Sequence, residues 1–371
     1  MYTYLVKLTP MEKFFFGQKN TFEEDNVNYF VRSSHFPQQT SLLGLLRYQL
    51  LLDAGSDIFS DNKIVKATEA VKLIGKQSFS PFSKGEGFGV IKGLSPIFLI
   101  DSEESYFPAG KRYQKKGKDK PYEVLSLFCE SKHPFFKDYS SKAGLPDMWI
   151  NSKGELLDED TLFVEDSRVG IRKNYEGNTD DNSFFYETFY RFNNENGKRS
   201  LCFAFYCELE TEKEFSNRIV HLGGERQPFF MEVIKVNAAE GYSSKTGAIK
   251  YEKDENYYTV MLLSDAYIES KIVDEAYFAV TEITEFACLL TTTEHTKRFY
   301  NRNNERKLSH MEDRGSSVSN NISVSKEIEL YARGSLFYFE NKDAAEDFKR
   351  EVESSHFRTI GYNHTIIIPN K

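Results

Sequence analysis

The residue best suited to acid–base chemistry in this sequence is His35, which lies between Tyr29 and Arg47 and just ahead of a helix. A histidine so placed can act as general acid or base in metal-independent RNA cleavage. The simpler role, a hydrogen bond to a loop carbonyl or to a nucleotide, needs no catalytic partner and is the one expected here. The other candidate segments each lack an essential part. Gly85-Glu86-Gly87-Phe88-Gly89 is glycine-rich, but it has no Gly-Lys-Ser/Thr ending and opens no helix, which excludes a P-loop. The Gly223-Gly224-Glu225 turn has no adjacent second carboxylate and runs into Arg226 and Gln227, a poor setting for a divalent cation. Cys129, Cys202, Cys207 and Cys288 show no CxxC spacing, and the seven histidines form no zinc-binding pattern. No catalytic residue, metal or cofactor is therefore expected, and the chain is not expected to be an enzyme.

Basic residues make a stronger set. Arg168-Val169-Gly170-Ile171-Arg172-Lys173-Asn174-Tyr175 alternates charge with small or apolar residues, then enters a polar tip, 176–183, before Phe184-Phe185-Tyr186 resumes strand character. That pattern predicts a long β-hairpin with a mobile tip, its basic arm lying along a phosphate backbone. Lys297 to Arg314 carries Arg298, Arg302, Arg306, Lys307 and Arg314 among asparagines, and is expected to order on contact with RNA or a partner. Lys111 to Lys120 reads as an exposed basic loop. The net charge of −8 does not advertise a nucleic-acid binder and leaves any long-range attraction to such local clusters.

These groups must be held by a substantial framework. The 371 residues suffice for two domains, and 40 % hydrophobic with 28 % charged residues is a globular balance. The 32 Phe and 22 Tyr favour β structure; most are expected in the core, some as platforms for bases. Tyr2 to Leu8 reads as an opening strand, with no signal segment, and no apolar run is long enough to span a membrane. A cytoplasmic protein is expected. Pro37 precedes a helix that Thr40 or Ser41 can cap, with Leu42, Leu45, Leu46 and Leu50 on its core face and Gly44 permitting close approach. Strands are expected at 97–100, 201–209, 229–236, 257–263, 276–283, 335–339 and 365–368, with a charged helix at 343–353. The fold class is α+β: two ferredoxin-like (RRM-like) modules with antiparallel sheets and long loop insertions, divided into 1–155 and 156–371.

Five of these segments, in order along the chain, resemble the third subunit of type III-B (Cmr) CRISPR effector complexes, a Cas5-like repeat-associated family. The 35–47 segment resembles the proline, hydroxyl, glycine and arginine element after that family's first strand. Glu165-Asp166-Ser167-Arg168-Val169-Gly170-Ile171 resembles its Glu-x-x-Arg-Val-Gly-Ile stretch, and Leu222-Gly223-Gly224-Glu225 its Leu-Gly-Gly-Glu turn. Gly334-Ser335-Leu336-Phe337-Tyr338 and Ile360-Gly361-Tyr362 resemble its last two glycine elements. Gln38-Gln39, where prolines are usual, and the extension 294–323 depart from the pattern. The resemblance implies a non-catalytic subunit that grips the 5′ handle of the guide RNA, beside the large polymerase-like subunit and the Cas7-like backbone subunits, and meets target RNA indirectly. It implies RNA contacts from His35, Gln39, Ser41, Arg47, Arg168, Arg172, Lys173, Gly223, Gly224, Arg226, Gly361 and Tyr362, with Arg47 and the Gly223-Gly224 turn sharing one cleft. A guide-processing endoribonuclease using His35, or a purely structural bridge, are the alternatives.

Overall fold

Leu201–Leu209 is apolar on both faces, and such a run is stable only as a strand covered on both sides. The computed structural model describes residues 1–17, 29–115, 117, 122–130, 133–173, 176–290 and 323–371, and there every residue of this run but Glu208 is buried. Along the chain come β1 (Tyr2–Pro10), α1 (Gln39–Asp53), α2 (Ala67–Ile74), β2 (Ile91–Leu94), β3 (Phe98–Asp101), β4 (Glu104–Pro108), β5 (Met148–Ile150), β6 (Leu156–Asp158) and α3 (Glu159–Leu162). There follow β7 (Phe163–Lys173), β8 (Thr179–Phe192), β9 (Leu201–Leu209), β10 (Arg218–Leu222) and β11 (Gln227–Val236). The last part holds β12 (Tyr258–Leu262), α4 (Ser270–Val273), β13 (Phe278–Val280), β14 (Leu336–Phe339), α5 (Lys342–Glu353) and β15 (Thr365–Ile368).

Among the described residues, nine strands form one large antiparallel sheet in the order β6-β5-β4-β3-β9-β1-β11-β10, with β2 also on β9. A smaller antiparallel sheet runs β13-β14-β12-β15. The α+β class is thus borne out. The expected division near residue 155 falls inside the large sheet, because β1 pairs with β9 and β11 from the far side of it; the chain passes from the large sheet to the small one between Val236 and Tyr258.

The aromatic excess fills the core. Phe14 and Phe203 lie 5.4 Å apart edge to face, and Phe16 stacks on Phe229 at 6.0 Å, in the range where ring pairs add to area burial. α1 buries Leu42, Leu43, Leu45, Leu46, Leu50 and Leu51. α5 is capped by Asn341, whose side chain accepts from the Ala344 amide, and it buries Ala345, Phe348 and Val352 on the small sheet, with Phe348 4.8 Å from Phe337. No helix among the described residues is long and apolar enough to cross a membrane.

Candidate nucleic-acid interface

Glu159, the first residue of α3, is the hub of a buried seam between the two sheets. Its carboxylate accepts from His35 Nδ1 at 2.9 Å and Trp149 Nε1 at 2.9 Å, with Arg333 Nη2 at 3.6 Å. Rings sandwich these groups: His35 stacks on Phe163 at 4.3 Å, Phe36 on Trp149 at 5.0 Å, and the Arg333 guanidinium lies 3.8 Å from the Phe36 centroid. Burial alone would raise the Glu159 pKa, but the Arg333 charge and the bonds from His35 and Trp149 outweigh it and hold the group below the ordinary carboxylate range. His35 has its Nδ1 fixed by this carboxylate, and the same carboxylate serves two other donors, as a structural clasp would.

A second clasp replaces an expected loop. Lys111 and Arg112 are buried rather than exposed: Lys111 Nζ lies 2.5 Å from both Asp147 and Glu282, and Arg112 Nη1 donates to Asp254 at 2.6 Å. Positive charge here is neutralised within the fold and ties the 109–115 segment to the small sheet. The rest of that basic stretch, at 116 and 118–120, lies outside the described residues, as does nearly all of the 294–323 extension with its Lys297–Arg314 cluster.

Arg47 corrects another expectation. It is 8 % exposed, and its guanidinium donates to the carbonyls of Ile74 at 2.9 Å and Gly75 at 3.4 Å, satisfying the C-terminus of α2. Burial pushes its pKa down to about 10, so it stays cationic at neutral pH. Gly223 instead packs on the Phe15 backbone and Gly224 on the Phe15 ring: a Cβ on Gly223, at φ 81°, would stand 2.2 Å from Phe15 O, and one on Gly224 2.5 Å from Phe15 Cδ1. Arg47 and the glycine turn thus each have their own packing partners within the fold. Arg47→Ala is expected to lower unfolding free energy by about 1–3 kcal/mol, the cost of orphaning buried acceptors. It should leave RNA affinity unchanged; urea unfolding alongside an RNA-binding titration checks both.

The N-cap of α1 is Gln38, ahead of the expected Thr40 or Ser41, and it makes no side-chain cap bond; the helix begins at Gln39. Ser41 is exposed, and Gly44 faces open space rather than a close neighbour. Gln39 is buried and its Nε2 donates to the carbonyls of Ser95 and Gly361, both at 3.2 Å. Gly361, at φ 93°, lies so near that a Cβ would stand 2.5 Å from Ser95 O and 2.6 Å from Gln39 Nε2. Gln39, Gly361 and the buried Tyr362 are therefore brought together, beside a small cleft of about 30 Å³ that is also lined by Pro37, Ser264, Asp265 and Arg333.

The hairpin β7–β8 forms as expected, with Tyr29–Val31 running parallel beside β8. Arg168 pairs with Glu187 at 2.9 Å and lies over the buried Phe189 at 4.9 Å, whereas Val169 and Ile171 are 56 % and 53 % exposed. Strand alternation puts the apolar residues outward, opposite Tyr186 and Phe184. Lys173 is exposed; the Arg172 side chain and residues 174–175 of the tip lie outside the described residues. Arg226 is exposed at φ 50°, and its carbonyl accepts from His221 Nδ1 at 2.8 Å.

Sequence reasoning missed Glu159, Asp265 and Arg333 as site-forming residues. Glu159 is one carboxylate of the acidic run Asp158-Glu159-Asp160, and Arg333 stands alone just before the glycine element at 334–338. Among the described residues no group of three His, Cys, Asp or Glu side chains could hold a metal ion. Cys202 and Cys207 are buried, with thiol pKa values pushed up by burial to about 11 and about 12, as inert core residues require.

The fold and its seam define an α+β protein of two antiparallel sheets clasped by buried ion pairs. A family model described as CRISPR-associated protein (Cas_Cmr3) matches residues 6–370, and the chain belongs to that family. The family resemblance read in the five sequence segments is thereby borne out. The chain is similar to one in a cryo-EM structure of the Type III-B Cmr-beta bound to cognate target RNA and AMPPnP, at 13 % identity and a TM-score of 0.48, with 98 % of this chain and 96 % of that one covered. It is similar to another in the Type III-B Cmr-beta bound to cognate target RNA, at 12 % identity and a TM-score of 0.49, with the same coverage of 98 % and 96 %. No curated protein matches the sequence.

Proposed function

We propose that this chain is a non-catalytic, RNA-binding subunit of a type III-B CRISPR effector complex. It holds the 5′ handle of the guide RNA and bridges the large polymerase-like subunit to the Cas7-like backbone subunits, acting in the cytoplasm. The observation that carries this reading is the family match across residues 6–370. The small sheet supports the ferredoxin-like part of it. Its chain order, β12-α4-β13-β14-α5-β15, with β12 and β14 central, is the split β-α-β arrangement of such modules. Lys173 and Arg226, both exposed, together with Arg168 and Arg172, supply the cations for phosphate contacts.

The His35–Glu159 pair favours one second reading, the endoribonuclease, because a carboxylate that fixes one imidazole nitrogen is what a general base needs. Incubating the purified full chain with repeat-derived RNA separates the two. Handle-selective binding without cleavage is expected, and Arg226→Ala should lower the salt slope of log affinity by about 1. A discrete, metal-independent product that disappears in His35→Ala would establish the nuclease instead. Binding without preference for the handle over a scrambled sequence would leave a structural bridge.

A further inference from the structure

The segment between β4 and β5 is an arm that packs on the small sheet with one face and turns the other to solvent. Its second ribbon pairs Leu127–Glu130 with His133–Phe136, so that Leu127 stands opposite Phe136 and Phe128 opposite Phe135. Leu127 is buried and its amide donates to Asp254 Oδ1 at 3.3 Å, while Phe136 meets Phe278 and Tyr338 edge to face at 6.0 and 6.2 Å. Strand alternation then directs Phe128 and Phe135 the other way, side by side, 42 % and 40 % exposed. Lys137 Nζ lies over the Phe128 ring, 5.2 Å from its centroid, and Tyr139 is exposed two residues on. The first ribbon repeats the device, with the exposed Lys115 placing Nζ 5.8 Å from the Tyr122 centroid. The buried Gln114 ties the ribbons together: its Nε2 donates to Asp138 O at 3.2 Å and its Oε1 accepts from the Ser140 amide at 2.7 Å.

The chemistry of the arm says what fits these rings. Residues 113–142 hold seven Lys against four Asp and Glu, in a chain whose net charge is −8. Lysine is depleted from protein–protein interfaces, whereas contacts to phosphate depend on it. The exposed large apolar side chains of the arm are all rings, Phe128, Phe135 and Tyr139, with no aliphatic one beside them among the described residues. The exposed carboxylates of this ribbon, Glu130 and Asp138, lie outside the Phe128–Phe135 rung. A flat ring beside an ammonium complements a nucleotide, the ring taking the π face of a base and the ammonium its phosphate. A duplex hides its base faces, so the fit is to an unpaired strand.

We propose that this arm is a docking platform for single-stranded RNA of any sequence, with bases stacked on Phe128 and Phe135 and phosphates beside Lys115 and Lys137. It goes beyond the handle contacts proposed above, because stacking and phosphate pairing read no sequence, whereas the handle is a fixed one.

The test uses the full chain with fluorescein-labelled oligouridine, repeat-derived RNA, its scrambled counterpart and an RNA duplex, read by anisotropy. Phe135→Leu keeps apolar bulk at an exposed position but removes the π face. The melting temperature should therefore stay level while oligouridine affinity falls roughly tenfold. Phe135→Tyr, which keeps the ring, should bind like the wild type. Lys137→Ala should lower the salt slope of log affinity by about 1. The preference for the handle over the scrambled sequence should be the same in all three variants. If Phe135→Leu binds oligouridine like the wild type, or the duplex binds as well as the single strand, the platform is wrong. A wild type that binds the handle but not oligouridine overturns the platform and leaves the handle reading standing. One that binds oligouridine through Phe135 without preferring the handle does the reverse. Unchanged oligouridine binding by Phe135→Leu, with weakened capture of the partner subunits, would assign this face to protein instead.

Discussion

Asp254→Ala will cost about 3–5 kcal/mol of folding stability, because it leaves a guanidinium buried without its counter-charge. Arg112 and Asp254 are 1 % and 2 % exposed, and the carboxylate also accepts from the Leu127 amide at 3.3 Å and from Thr259 Oγ1 at 3.2 Å. The second guanidinium nitrogen donates to the Glu252 carbonyl, so truncating the acid strands an oriented group that water does not reach. A loss of this size is a large share of the 5–15 kcal/mol that typically separates folded from unfolded chains. Replacing both members with apolar residues, Arg112→Met with Asp254→Leu, should be far milder than the single change, since desolvation of the pair nearly cancels its attraction. Urea unfolding of Arg112→Met, Asp254→Leu and the double gives the coupling directly. A loss below about 1 kcal/mol for Asp254→Ala, the range of exposed pairs, would mean the clasp is not buried in solution.

Glu159→Gln should be the second most damaging change, again about 3–5 kcal/mol, and its effect should depend on pH. The neutral amide keeps the shape but cannot answer Arg333 and His35 with charge, and one of its two polar ends now donates. The acid's pKa is depressed in the fold below the ordinary value of 4.5, first against burial, then by Arg333, His35 and Trp149. A depressed acid stabilises fully above its unfolded pKa, and that contribution disappears as pH falls through the folded value. The gap between wild type and variant should therefore be widest at neutral pH and begin to close only below 4.5. Asp147 sits at the rim of the seam with its pKa raised by burial and by Glu159 against the opposing Lys111 and Arg333, so loss of the Glu159 charge should let its pKa fall back toward the ordinary value in the variant. Denaturant midpoints of the two proteins across that range decide the matter; a gap independent of pH would show that the charge of Glu159 is not what holds the seam.

The local elements were legible because hydrophobic periodicity is a local property. Thr365–Ile368 and Leu201–Leu209 have the observed limits, and the 343–353 helix differs by one residue, since each carries its burial pattern in its own side chains. The family resemblance was legible for a related reason: glycines at 223, 334 and 361 all take positive φ, a backbone demand that only that residue type meets cheaply, and so each stands out in the sequence. Cap placement was less so, because Gln38 begins α1 through backbone geometry alone and leaves no side-chain signal.

What the sequence by itself determined, then, is which segments are strands or helices, which face of each is apolar, and which family the chain belongs to. The tertiary structure alone decided what each charge is for. Arg47, Lys111 and Arg112 look like exposed cations in sequence, yet their partners Ile74, Asp147, Asp254 and Glu282 are brought opposite them only by folding. The same holds for the pairing of β1 with β9 and β11, which sets the true limit of the large sheet, and for the outward turn of Val169 and Ile171. Periodicity is written residue by residue along the chain, whereas the energy of a buried charge depends on whatever group lies across a few ångströms of low-dielectric space, and no local pattern encodes that neighbour.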